Sequence, residues 1–255
     1  MKILLTNDDG IYAAGIRKLA KILKQKGHRV AVVSPDRQRS ASGHSITLHN
    51  PLRVEEVNLD QLEQIPCYRV SGTPVDCVKL GIKELLEFSP EVVISGINDA
   101  ANLGYDVLYS GTVSAAVEGW LMGYDSLAVS LYKKNDQTRA SYSKVARYVS
   151  DFLETEFSTF VNDDTCLLNI NIPNTISEND LNFKVTSLTE CLYDDYYESR
   201  IDPLGNRYYW LAGEIKGECK KGTDLWALEN NFISITPLKL SLTDQQMVDR
   251  KNDSC

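Results

Sequence analysis

Neither common nucleotide fingerprint is present in this chain. No Gly-x-Gly-x-x-Gly follows the first strand pattern, and no Gly-Lys-Ser/Thr closes a phosphate loop. A bound dinucleotide and an NTPase cycle are therefore not indicated. Lys and Arg are nowhere gathered into a block, and 27 basic against 35 acidic residues leave a formal charge of −8. That balance speaks against duplex nucleic acid as a partner. No apolar run reaches the ~18 residues of a membrane span, and no charged start leads into an apolar secretory segment. The expectation is a soluble cytoplasmic protein with no membrane partner. Cys-x-x-Cys is absent too. The 6 cysteines, Cys67, Cys77, Cys166, Cys191, Cys219 and Cys255, are scattered, which argues against a zinc ribbon and suggests reduced, mostly packed thiols.

What is present is a periodic α/β pattern. The 255 residues, 43% of them hydrophobic, suffice for one α/β domain with a sizeable core. Apolar runs at Lys2 to Thr6, His28 to Ser34, Glu91 to Gly96 and Ser126 to Leu131 read as buried strands. Helical patterns at Gly15 to Lys26, Pro74 to Glu87 and Thr112 to Met122 lie between them. The four strands should form a parallel core, and right-handed crossovers should bring the loops that follow them to one sheet edge. Residues 1–132 are read as a Rossmann-like core and 133–255 as a C-terminal part.

Those loops carry the chemistry. Asn7-Asp8-Asp9-Gly10 follows the first strand. Two adjacent carboxylates repel, and a hard divalent cation is the usual partner; the alternative is that one acid caps the helix and tightens the turn. Ser40 and Asn98 can add neutral oxygens to a cation, or serve as a turn hydroxyl and a turn amide. An oxygen-only shell suits Mg²⁺ or Mn²⁺ better than Zn²⁺. Arg37, Arg39 and His44 can meet an anion, or face solvent. Ser110-Gly111-Thr112 opens a small-residue helix whose free N–H groups can hold phosphate, with Gly111 letting its oxygens come close; an ordinary helix cap reads the same way. Metal acids, metal oxygens and an anion-binding helix start on one rim suggest phosphate-ester chemistry. A phosphoacceptor domain and a non-enzymatic nucleotide binder are the rival classes.

Five blocks in order, Asn7 to Gly10, Ser34 to Ser40, Gly72 to Val78, Ser95 to Asn98 and Tyr109 to Val113, resemble the SurE survival-protein family of 5′/3′-nucleotidases. Gly222 to Ala227 and Ile233 to Leu238 extend the likeness over nearly the whole chain. The resemblance implies a three-layer α/β/α fold with a mostly parallel sheet and a C-terminal hairpin and tail that build a homodimer or homotetramer. It also implies metal-dependent hydrolysis of nucleoside monophosphates and some action on short polyphosphate. Its ligands for one Mg²⁺ or Mn²⁺ per subunit fall on Asp8, Asp9, Ser40 and Asn98. Asp8, Asp9 and Asn98 are expected to be catalytic, with Asp8 orienting or deprotonating the water. Asn7, Gly43, His44, Asn102, Ser110, Gly111 and Thr112 are expected to contact phosphate or substrate. Tyr12, Ala14 and Asp99-Ala100 depart from the family pattern. The aromatic runs around Asp202 to Asn206 read as a hairpin near 190–210 whose surface must pack on its own domain or, as the resemblance implies, on a neighbouring subunit.

Overall fold

A computed structural model of the chain describes residues 1–134, 141–161, 164–175, 182–190, 192–216 and 219–252. Its centre is a run of parallel strands, β1 (Lys2–Thr6), β2 (Arg29–Pro35), β4 (Cys67–Val70), β5 (Val92–Asn98), β6 (Asp125–Tyr132) and β7 (Leu167–Pro173). With β3 (Val54–Glu56), β8 (Phe183–Val185) and β11 (Ile233–Pro237) the sheet order is β3-β4-β2-β1-β5-β6-β7-β11-β8. Only β3 against β4 and β11 against β7 pair antiparallel. Strands buried on both faces read as continuous apolar runs, as β1, β2 and β5 do.

Successive side chains of a strand point to opposite faces, and β1 shows both layers. Ile3 and Leu5 pack on the side of α1 (Ala14–Gln25) and α4 (Tyr142–Thr155), while Leu4 packs on the side of α2 (Pro74–Leu80). The buried stripe Ile16, Leu19, Ala20 and Leu23 of α1 follows the helical 3–4 spacing and explains why this segment lies on the sheet. α3 (Gly111–Leu121) is buried through Ala115 and Ala116, small residues that let it sit close to β6. The helix expected from Pro74 to Glu87 ends sooner. α2 stops at Leu80 and a wider π turn covers Gly81–Leu85.

The chain goes from β1 to β2 on one side, and later places β5 on the other. The loops leaving β1 and β5 thus diverge at a topological switch point, where open α/β sheets leave a crevice. β9 (Leu192–Ile201) and β10 (Arg207–Lys216) form a separate antiparallel ribbon, joined by a turn in which Asp202 Oδ1 accepts from the backbone of Leu204 and Asn206 at 2.9 and 2.8 Å. Tyr196, Tyr197, Tyr208, Tyr209 and Trp210 of this ribbon are all exposed. No helix among the described residues is long and apolar enough to cross a membrane. Cys67, Cys77 and Cys166 are buried free thiols and Cys219 is an exposed one, whereas Cys191 and Cys255 fall outside the described residues. Burial pushes the Cys67 thiol up to about 11, which keeps it protonated and inert.

Candidate active site

The crevice at the switch point is a cleft of about 770 Å³ lined by Asp8, Asp9, Ser40, Asn98, Asn102 and Ser110, among others. Each lies at the carboxyl edge of the sheet, Asn98 as the last residue of β5 and the others in the loops. Asn7 shapes the first of these loops. Fully buried, it donates from Nδ2 to Gly10 O at 3.1 Å and accepts at Oδ1 from Gly10 N at 3.2 Å and from the Ser34 hydroxyl. Gly10 has φ of +95°, a conformation that favours glycine. This ring of bonds presents Asp8 and Asp9 to the cleft.

Both acids are held above the usual carboxylate range. Burial is the main cause for Asp8, offset in part by hydrogen bonds from the hydroxyl and backbone of Thr112. Asp9 is pushed up to about 6, first by burial and then by the charges of Asp8 and Asp99. Asn98 donates from Nδ2 to Ala100 O at 2.6 Å, which leaves its Oδ1 available as a donor to a cation. Ser40 accepts from Gln38 Nε2 at 2.9 Å. Two carboxylates, a hydroxyl and an amide oxygen therefore share one cleft. Among the described residues no three His, Cys, Asp or Glu side chains converge on one point. An all-oxygen set with two frustrated acids fits a hard cation such as Mg²⁺ or Mn²⁺, which would relieve the repulsion between them.

The start of α3 is arranged differently from the sequence expectation. Ser110 caps it, its Oγ accepting from Val113 N at 3.1 Å. A Cβ on Gly111 would lie 2.8 Å from Asp8 Cβ and 3.0 Å from Ser42 Oγ. The missing side chain thus makes room for Asp8 itself. Part of the helix's N-terminal hydrogen-bonding capacity is spent on that carboxylate, because Thr112 already bonds it. Gly43 and His44 do not line the cleft. Gly43 N donates to Tyr109 O at 3.0 Å, and His44 Nε2 lies 2.9 Å from Oε2 of the buried Glu118 of α3, which Lys79 meets on its other oxygen at 2.8 Å. With Thr47 bonded to Asp76 through N and Oγ1 at 3.0 and 2.6 Å, these contacts strap the loop after β2 to α2 and α3. Arg37 is exposed, and Arg39 reaches Asp36 and Ser71 O; neither lines the cleft.

Sequence reasoning missed the brace behind the site. Asn169 and Asn171 of β7 are fully buried and both donate to Asn102 O, at 2.9 and 3.1 Å. Asn171 Oδ1 accepts from Asn102 N at 2.9 Å, and Asn102 Nδ2 donates to Ser130 Oγ at 2.8 Å. Asp224, the first residue of α5 (Asp224–Glu229), holds the next turn by accepting from Gly104 N at 2.9 Å. The alternation in Leu-Leu-Asn-Ile-Asn-Ile looks like a half-exposed strand, yet both faces are buried. Two amides in that position signal a buried polar network.

The raised Asp9 has a consequence for stability. Between its ordinary 3.8 and about 6 the folded chain holds a proton that the unfolded chain has lost. Metal-free stability therefore falls as pH rises through that window and the penalty is complete above it. Melting in EDTA checks this: Asp9→Asn should gain thermal stability over the parent at pH 7 and show no gain at pH 4. An equal difference at both pH values would contradict it.

A mostly parallel sheet with a switch-point cleft that holds paired acids and neutral oxygens defines a Rossmann-like α/β protein. The model of the family "Survival protein SurE" matches residues 3–195, and the chain belongs to that family. It is 42% identical to the 5′-nucleotidase SurE of Natranaerobius thermophilus over 97% of this chain and 96% of the relative. Identity to the 5′-nucleotidase SurE of Synechococcus sp. (strain JA-3-3Ab) is 47%, over 95% and 93%. The crystal structure of the SurE protein from Aquifex aeolicus superposes with a TM-score of 0.82 at 38% identity, covering 98% of both chains.

Proposed function

We propose that this chain is a metal-dependent phosphomonoesterase that converts nucleoside 5′-monophosphates to nucleoside and phosphate in the cytoplasm, with 3′-monophosphates and short polyphosphate as further substrates. The observation that carries the reading is the placement of Asp8, Asp9, Ser40 and Asn98 in one cleft, with both acids held above their normal range. The kinship with named 5′-nucleotidases supports the choice of substrate.

Asp8, Asp9, Ser40 and Asn98 would hold one Mg²⁺ or Mn²⁺, which when bound neutralises phosphoryl oxygens and lowers the pKa of water. Asp8 is buried and fixed by Thr112, so its remaining oxygen points a lone pair without rotational loss; it orients the attacking water and takes its proton. Asn98 and the Ser110 end of α3 meet the phosphoryl group as charge spreads over its oxygens. Leu103, Tyr109 and Tyr132 line the same cleft as the acids, and add apolar surface against which a substrate can lie. A phosphate-release screen of the nucleoside monophosphates with Mg²⁺, Mn²⁺, Co²⁺ or Zn²⁺ tests the reading. Hydrolysis that survives EDTA, or no release with any metal, would overturn it.

The exposed aromatic ribbon supports a homodimer or homotetramer. A two-stranded ribbon is marginal alone, and this much exposed aromatic surface marks an interface. Deleting 194–208 should at least halve the mass measured by light scattering. A parent protein that is already monomeric at micromolar concentration would refute the assembly.

A further inference from the structure

The cleft lining carries four acids, Asp8, Asp9, Asp99 and Asp106, and among the described residues a single cationic side chain, Lys133. An anionic substrate must approach this surface, and the other cations nearby lie outside the lining, Arg37 on an exposed stretch of the loop after β2. Arg39 is bonded to Asp36 and Ser71 O, and His44 sits on Glu118 outside the lining. Lys133 stands one residue past the end of β6, the same kind of position that Asp8 and Asp9 take after β1. Its side chain is only 15% exposed, and its Nζ lies 2.7 Å from Asp99 Oδ2. The other oxygen of Asp99 accepts from Tyr142 OH at 2.7 Å. The backbone N–H of Asp99 bonds the Asp9 carboxylate, so the Lys133 ion pair is built directly beside the paired acids. An ammonium has three donors, and Asp99 occupies one of them.

We propose that Lys133 binds the anionic group of the substrate in this cleft, and that Asp99 is an internal anion that orients Lys133 and competes with the substrate for it. The proposal rests on the nucleotidase reading above. A side chain that is mostly buried and clamped by Asp99 loses little conformational freedom when a phosphate arrives. Asp99, with one oxygen on Lys133 and the other on Tyr142, is held away from joining Asp8 and Asp9 as a third carboxylate toward a cation. The sequence marks Asp99 as an extra carboxylate beside Asn98 that bears on metal affinity and phosphate approach, but gives no sign of Lys133 as its partner.

Competition predicts opposite signs for the two partners. The probe is inorganic phosphate titrated calorimetrically into the Mn²⁺-loaded full chain. Lys133→Met should weaken phosphate binding about tenfold, the size expected of one charge-assisted hydrogen bond. Asp99→Asn should tighten it several-fold, and the Lys133→Met effect should shrink in high salt as screening grows. If the pair only braces the loop, both variants will weaken phosphate binding together, and the proposal fails. It also fails if Lys133→Met binds phosphate like the parent. Mn²⁺ titration without phosphate and thermal melts identify any variant whose site or fold is lost, in which case Lys133→Gln replaces it in the same titration. Nucleotide hydrolysis by the parent is a separate readout, so an inactive parent condemns the nucleotidase reading, whereas an active parent with an unaffected Lys133→Met condemns only this inference.

Discussion

Asp9→Asn should abolish nucleotide hydrolysis at low metal and recover part of it in excess Mn²⁺. Asn keeps the shape of Asp and removes one of the two carboxylate charges proposed to meet the cation, so the cleft survives while its attraction for a dication falls. Disturbing even an outer-shell partner costs ~10–100-fold in metal affinity, and a direct ligand should cost more. A weakened site refills by mass action, which is why added Mn²⁺ restores turnover. The same variant is expected to be more heat-stable without metal at pH 7, because Asp9 is pushed up to about 6 chiefly by burial. Lost activity with gained stability separates a site that stores electrostatic strain from one that is merely structural. Turnover of Asp9→Asn at parental rates with micromolar Mn²⁺ would refute the assignment.

Asp224→Asn should be the most damaging change made away from the cleft. Asp224 is fully buried and its two oxygens accept from Gly104 N, Thr189 N, the Thr189 hydroxyl and Leu225 N. An amide offers one acceptor oxygen and turns an NH₂ toward donors it cannot satisfy, and each unpaired buried donor costs about 1–3 kcal/mol. A loss of about 2–4 kcal/mol follows, lowering Tm by roughly 5–10 °C. Below that Tm, kcat should fall as well, because Gly104 N belongs to the turn that follows Asn98 and Asn102. Calorimetric melts and steady-state kinetics at 20 °C check both parts. A Tm within a degree of the parent would show that the brace carries no stability.

The elements foreseen from sequence were those with one dominant signal. β1, β2, β5 and β6 are unbroken apolar runs, and α1 has a clean buried stripe; such patterns survive any tertiary context. β4 is four residues long, and β7 hides two asparagines in an apolar strand, so neither stood out. The loops holding Asp8, Asp9, Ser40 and Asn98 were locatable because every parallel strand must end on the same edge. Orientation within those loops was not legible. Which way Arg39 turns is decided by Asp36 and the Ser71 carbonyl, and what Gly111 makes room for is decided by Asp8, contacts between segments far apart in the chain. Lys133 and Asp99 carry a charge pair that only their meeting across 34 residues creates.

The brace sets an order of events in the making of the molecule. Asp8, Asp9, Ser40, Asn98 and Ser110 all leave the ribosome in the first half of the chain, while the groups that brace the loop after β5, Asn169, Asn171 and Asp224, come much later. A nascent chain can form β1, β2 and β5 and expose every acid, yet the segment from Asn98 to Gly104 has nothing to settle against. The loop after β5 therefore gains its last hydrogen bonds only when β7 and α5 have been made, and a product terminated before Asp224 should carry all the acids with the Gly104 turn left unbraced.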